Sequence, residues 1–69
     1  MILYRCTMEK YSTENKRWVY SDLENFNRDK LYESILELQK KGWFFKPRSW
    51  KELFATQNQI ATAEYIGAL

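Results

Sequence analysis

The chain has 69 residues and a mass of 8.4 kDa, which is room for one domain, since compact domains rarely fall below about 50 residues. A charged fraction of 29% and a hydrophobic fraction of 45%, with one proline and two glycines, exclude the disordered and low-complexity classes. The absence of histidine and the single cysteine remove the usual zinc ligand sets, an internal disulfide and the base of most nucleophilic catalysts.

A chain of this mass buries only about 60% of the surface its unfolded form exposes. The 12 aromatic residues, each able to cover roughly 150–250 Å², exceed what so small a core encloses, so some belong at the surface. No apolar run approaches the roughly 20 residues that span a bilayer, and Met1 leads into a strand-like segment rather than a signal sequence. These features predict a cytoplasmic protein with no cofactor, no metal and no membrane attachment.

Residues 2–11 alternate, with Ile2, Tyr4, Cys6 and Met8 on one face and Leu3, Arg5, Thr7 and Glu9 on the other, the period of a half-buried strand. The polar cluster Ser12 to Lys16 has the length of a hairpin loop ahead of Arg17-Trp18-Val19-Tyr20, giving strands at about 2–10 and 17–21. The period then changes: Leu31, Ile35 and Leu38 are spaced by four and three, which marks an amphipathic helix over about 28–41. Asn27 is its expected cap, with Asp22 to Phe26 as a lead-in turn. Glu37 and Lys41 are spaced for an ion pair, and Gly42 is placed to end the helix in a left-handed conformation.

Trp43 to Lys46 reads as a third strand closed by Pro47. Ser49-Trp50-Lys51-Glu52 has capping-box spacing and predicts a C-terminal helix from about Trp50, with Trp50, Leu53, Phe54, Ala61 and Tyr65 on one stripe; a shorter helix, a loop at Thr56 to Gln59 and a fourth strand at Ile60 to Ala63 is the alternative. Thr62 to Gly67 would suit the first helix of a helix-turn-helix, without room for a recognition helix after it. The expected fold class is α+β: a single small domain, residues 1–69, in which an antiparallel hairpin and a third strand pack on one amphipathic helix.

The hairpin, the helix ending in Gly42-Trp43 and the aromatic strand after it resemble a family of small uncharacterised bacterial and phage β-β-α-β domains of unknown function. The resemblance spans residues 2–46 and rests on Leu38, Gly42, Trp43 and the hairpin. It implies the fold and no activity.

Charge is concentrated. Residues 1–39 carry six basic and seven acidic groups, residues 40–51 five basic and none acidic, and the remainder two acidic. The basic segment also holds four aromatics, and period two sets Phe44 opposite Trp43 and Phe45. The candidate binding residues are therefore Lys40, Lys41, Phe44, Lys46, Arg48, Trp50 and Lys51, with Phe44 and Trp50 the aromatics least committed to the core. Trp, Tyr and Arg anchor protein interfaces, whereas lysines interleaved with aromatics also suit single-stranded nucleic acid. Two readings follow: a non-enzymatic module, an inhibitor or adaptor docking on a larger protein such as a phage or mobile-element product meeting a host enzyme or defence system, and a nucleic-acid-binding accessory protein using residues 40–51. Self-association is a third role. If the basic segment is not the site, the hairpin face with Leu3, Arg5 and Thr7 is the next candidate.

Overall fold

The computed structural model describes the backbone of residues 1–65 and the side chains of residues 1–62. Its elements are β1 (Ile2–Ser12), β2 (Arg17–Asn25), α1 (Arg28–Lys40), β3 (Phe44–Phe45), β4 (Lys51–Phe54) and α2 (Gln57–Tyr65). The fold is a small α+β domain in which β1 is central: β2 pairs antiparallel along one edge, and β3 and β4 pair antiparallel along the other.

The hairpin closes where Ser12 Oγ accepts the Asn15 N–H at 3.2 Å, and Lys16 takes φ 54° at the end of the loop, a left-handed residue of the kind that four- and five-residue hairpin loops use to reverse the chain. β2 is longer than its sequence suggests. The segment from Asp22 continues as strand to Asn25 instead of turning, because Asp22 and Leu23 stand opposite Thr7 and Cys6 and both find partners there. The turn comes after it, where Asn25 Oδ1 accepts the Asn27 N–H at 2.8 Å.

α1 begins and ends where local chemistry directs. Asn27 Oδ1 accepts the N–H groups of Asp29 and Lys30 at 2.9 and 3.2 Å, satisfying two of the orphan donors of the first turn. At the other end Trp43 N–H donates to Leu38 O at 3.0 Å and Gly42 N–H to Gln39 O at 3.1 Å, a Schellman termination with Gly42 at φ +90°. The Glu37 carboxylate meets Lys40, at 3.7 Å, rather than Lys41. Lys41 instead offers its carbonyl to Lys10 Nζ at 3.3 Å, tying the helix end to β1.

The core lies between α1 and one face of the sheet. Cys6 and Met8 of β1 and Leu31 and Ile35 of α1 are buried together, and Tyr4, Leu23, Leu38, Trp43, Phe45 and Trp50 pack around them. Leu3 is also buried, on the other face of β1. Burial pushes the Cys6 thiol up from its ordinary value, and the charge of Asp22 adds to that, so Cys6 is a small apolar core residue.

The third strand falls within the expected 43–46, and the departure from the sequence reading comes after it. Phe44–Phe45 is shorter than 43–46, and Ser49 does not cap a helix: Lys51–Phe54 is a strand, and the C-terminal helix begins at Gln57. Its box is Thr56-x-x-Gln59, with Thr56 Oγ1 accepting the Gln59 N–H at 3.2 Å and Gln59 Oε1 accepting the Thr56 N–H at 2.8 Å. Ile60 to Ala63 accordingly lies in α2 and not in a strand. Gly67 is outside the described residues. No helix among the described residues is long and apolar enough to cross a membrane.

Ser49 has a different task. Met8 pairs with Phe45 and Arg5 with Lys51, so two residues of β1, Cys6 and Thr7, face the five that join β3 to β4, Lys46 to Trp50. The excess is taken up in a turn with Pro47 and Arg48 at its centre, in which Ser49 N–H donates to Lys46 O at 3.2 Å and Arg48 adopts φ +64°, the pattern of a type II turn. The turn leaves Thr7 N–H without a backbone partner on that side. Ser49 Oγ fills the gap, accepting from Thr7 N–H at 3.1 Å and donating to Lys46 O at 2.7 Å, while Lys46 N–H donates to Thr7 O at 2.9 Å. One hydroxyl stands in for a missing ladder step.

Candidate functional site

In an antiparallel pair, residues directly opposite share a face. The register therefore puts Leu3, Arg5, Thr7, Glu9 and Tyr11 of β1 on the side away from α1, together with Trp18, Tyr20, Asp22 and Glu24 of β2, Phe44 of β3, and Lys51 and Leu53 of β4. Among the described residues four aromatics of this open face remain exposed: Tyr11, Trp18, Tyr20 and Phe44, the last to 63%. So many exposed rings on one face are unusual for an isolated surface.

The rings are held in place. Tyr11 and Trp18 meet edge to face with centroids 5.6 Å apart, a favoured aromatic geometry. Lys46 reaches across β1 to set its Nζ 4.8 Å from the centre of the Tyr20 ring, a cation–π contact of about 0.5–1 kcal/mol at an exposed site. Arg5 Nη2 lies 2.9 Å from Asp22 Oδ2, and Thr7 Oγ1 donates to Asp22 Oδ1 at 2.8 Å. The Thr7 hydroxyl first, and the Arg5 guanidinium second, hold the Asp22 carboxyl below its ordinary value. Arg5, Lys46 and Lys51 are matched by Glu9, Asp22 and Glu24, so charge on this face is balanced.

The basic segment does not form one surface. Phe44, Lys46 and Lys51 lie on the open face. Trp50 turns the other way, stacking on Tyr32 of α1 with centroids 5.2 Å apart and approaching Tyr4 at 6.0 Å. It neither occupies a first helical position nor stands free of the core. Arg48 is exposed at the type II turn, and Lys40 and Lys41 are exposed at the end of α1. The turn bulges out between β3 and β4, which run in the same direction along β1, and its three extra residues shift the alternation so that Lys51, and not Trp50, falls on the face of Phe44.

Three residues of the face, Tyr11, Trp18 and Tyr20, were not among the sequence candidates. The signal for them was the alternation of the hairpin itself: with Ser12 opposite Arg17, every odd residue of β1 and every even residue of β2 falls on one side. Comparison of the chain with protein-family models, with curated proteins and with solved structures returned no match.

Proposed function

We propose that this chain is a non-enzymatic protein-binding module that docks the open face of its sheet onto a larger protein. The observation that carries this reading is the set of four exposed aromatics, Tyr11, Trp18, Tyr20 and Phe44, on a face whose charges balance. Protein interfaces are centred on aromatic anchors with a polar rim, and Arg5, Asp22, Lys46 and Lys51 supply such a rim here. Affinity for nucleic acid comes mostly from unpaired cations along the phosphate path. On this face Arg5 is already engaged by Asp22 and stands opposite Glu24, and Lys46 lies over the Tyr20 ring, so the docking of a protein fits better than the nucleic-acid reading.

The test is capture from cell lysate on the immobilised chain, with and without nuclease, using wild type and the Tyr20→Ala and Phe44→Ala variants. Proteins that wild type retains after nuclease, and that the folded variants retain at least about thirtyfold more weakly, are the expected result, since a hot-spot ring contributes about 2 kcal/mol or more. Lys46→Ala and Lys51→Ala should mainly slow association and change its salt dependence. Retention abolished by nuclease would favour nucleic acid instead. Retention by both folded ring variants equal to wild type would remove the open face from consideration.

A further inference from the structure

The two edges of the sheet are finished differently. On the β3–β4 side the strand is in two short pieces, interrupted by Pro47 and a left-handed Arg48 and flanked by Lys46 and Lys51; breaks, prolines and lysines are the devices that stop an edge from adding another strand. The β2 side has none of them. Its nine residues pair with β1 in unbroken register, with no proline, glycine or lysine among them. Among the described residues no strand pairs with its outer edge.

We infer that β2 pairs antiparallel with β2 of a second copy of this chain, joining two sheets into one about a two-fold axis through Ser21. The two-fold axis of such a pair is normal to the sheet, so both open faces lie on the same side and each residue meets one from its own face. Centring on Ser21 sets Val19 against Leu23 of the second copy, Arg17 against Asn25, Tyr20 against Asp22 and Trp18 against Glu24, which gives two apolar pairs and no like-charge pair. A centre at Asp22 would oppose two carboxylates, and one at Tyr20 would set Leu23 against Arg17. Both lose cross-strand energy.

The helix side has room for the same occupant. An open groove runs beside β2 toward α1, with Leu23 and Leu38 in its wall, Lys30, Glu33 and Glu37 along the helix, and Lys40 paired to Glu37 at 3.7 Å. An incoming copy of β2 lays its helix-side residues, Arg17, Val19, Ser21, Leu23 and Asn25, along that groove, and the one charge among them is Arg17. Val19 and Leu23 of the second copy extend the apolar wall that Leu23 and Leu38 begin. The pairing uses the strand edge and leaves the open face free, so it stands or falls apart from the docking function proposed above.

The experiment is sedimentation equilibrium of the purified chain over a concentration series, together with oxidation of two single-cysteine variants. The weight-average mass should rise from the 8.4 kDa of one chain toward twice that value. Directly opposite residues have Cα atoms roughly 4.5–5.5 Å apart, within disulfide reach, so Ser21→Cys should oxidise to a covalent dimer. Glu24→Cys should not, because its counterpart would lie six residues along the strand, about 20 Å away. Native Cys6 is fully buried and does not interfere. Phe44→Ala, on the open face, should leave the association constant unchanged. A chain that stays monomeric at every concentration, as it would if the edge served a segment of another protein, overturns the proposal. So does cross-linking of Glu24→Cys as fast as Ser21→Cys, or loss of the dimer in Phe44→Ala.

Discussion

Replacing Ser49 by alanine tests the most unusual joint in the structure. The Ser49 hydroxyl is the partner of Thr7 N–H at 3.1 Å and a donor to Lys46 O at 2.7 Å, at a part-buried position on the central strand. Alanine preserves the backbone and removes both bonds. A donor left unsatisfied when buried costs about 1–3 kcal/mol; with Thr7 only partly shielded, the lower part of that range applies, about 1–2 kcal/mol. For a domain of this size each kcal/mol lowers the melting temperature by about 4–8 °C, so the variant should melt about 5–15 °C below wild type with an unchanged urea m-value. Amide exchange assigns the loss to its source. The Thr7 amide should exchange about 5–30 times faster, and by more than its neighbours Cys6 and Met8, whose ladder partners remain. If the melting temperature falls by less than about 2 °C, or the Thr7 amide keeps its protection, then the hydroxyl does not close the gap in the ladder.

The remaining predictions concern the core, the turn and pH. Ile35→Ala should cost about 2–5 kcal/mol and Leu38→Ala less, because Ile35 is buried and Leu38 only half-buried; urea midpoints in the reverse order would refute the packing. Arg48→Gly should raise stability by up to about 1 kcal/mol by relieving the left-handed φ of +64°, read as a shift in the same midpoint. The depressed Asp22 carboxyl contributes stability that is present above the ordinary carboxylate range and is lost as pH falls through its lowered folded value. The urea midpoint of Asp22→Asn should therefore fall less steeply with acid than that of wild type, and equal acid slopes would remove Asp22 from the linkage.

The helix was legible because its signals are local: Asn27 caps it and Gly42 ends it with groups no more than a turn away. The third strand, too, falls where the sequence placed it, but β4 and the start of α2 were not legible, because two segments match the helix-start pattern and only distant residues decide between them. Ser49-x-x-Glu52 matches the helix-start pattern, but the Ser49 hydroxyl is drawn to Thr7, 42 residues earlier in the chain, and the genuine box is at Thr56. The candidate binding residues fail to share one surface for a related reason. Charge density pointed to residues 40–51, yet a turn of four residues sends Trp50 to one side of the sheet and Phe44 to the other. The aromatics of the hairpin could have been assigned to one face by alternation, once the loop length fixed which residue of β2 stands opposite Tyr11.

The central place of β1 bears on the order in which the fold can be made. Among the described residues every other strand pairs with β1 and none with one another, and β1 precedes all its partners in the chain, the last of them, β4, by some forty residues. The hairpin and α1 are built from near neighbours and can assemble early. During synthesis, however, one edge of β1 stays bare until Phe44–Phe45 has emerged, and its Ile2 to Arg5 part until Phe54 has, and closing so distant a contact is the slow kind of step. In that interval the growing chain presents an open strand to its surroundings, and the pace of translation through residues 41–54 sets how long that lasts.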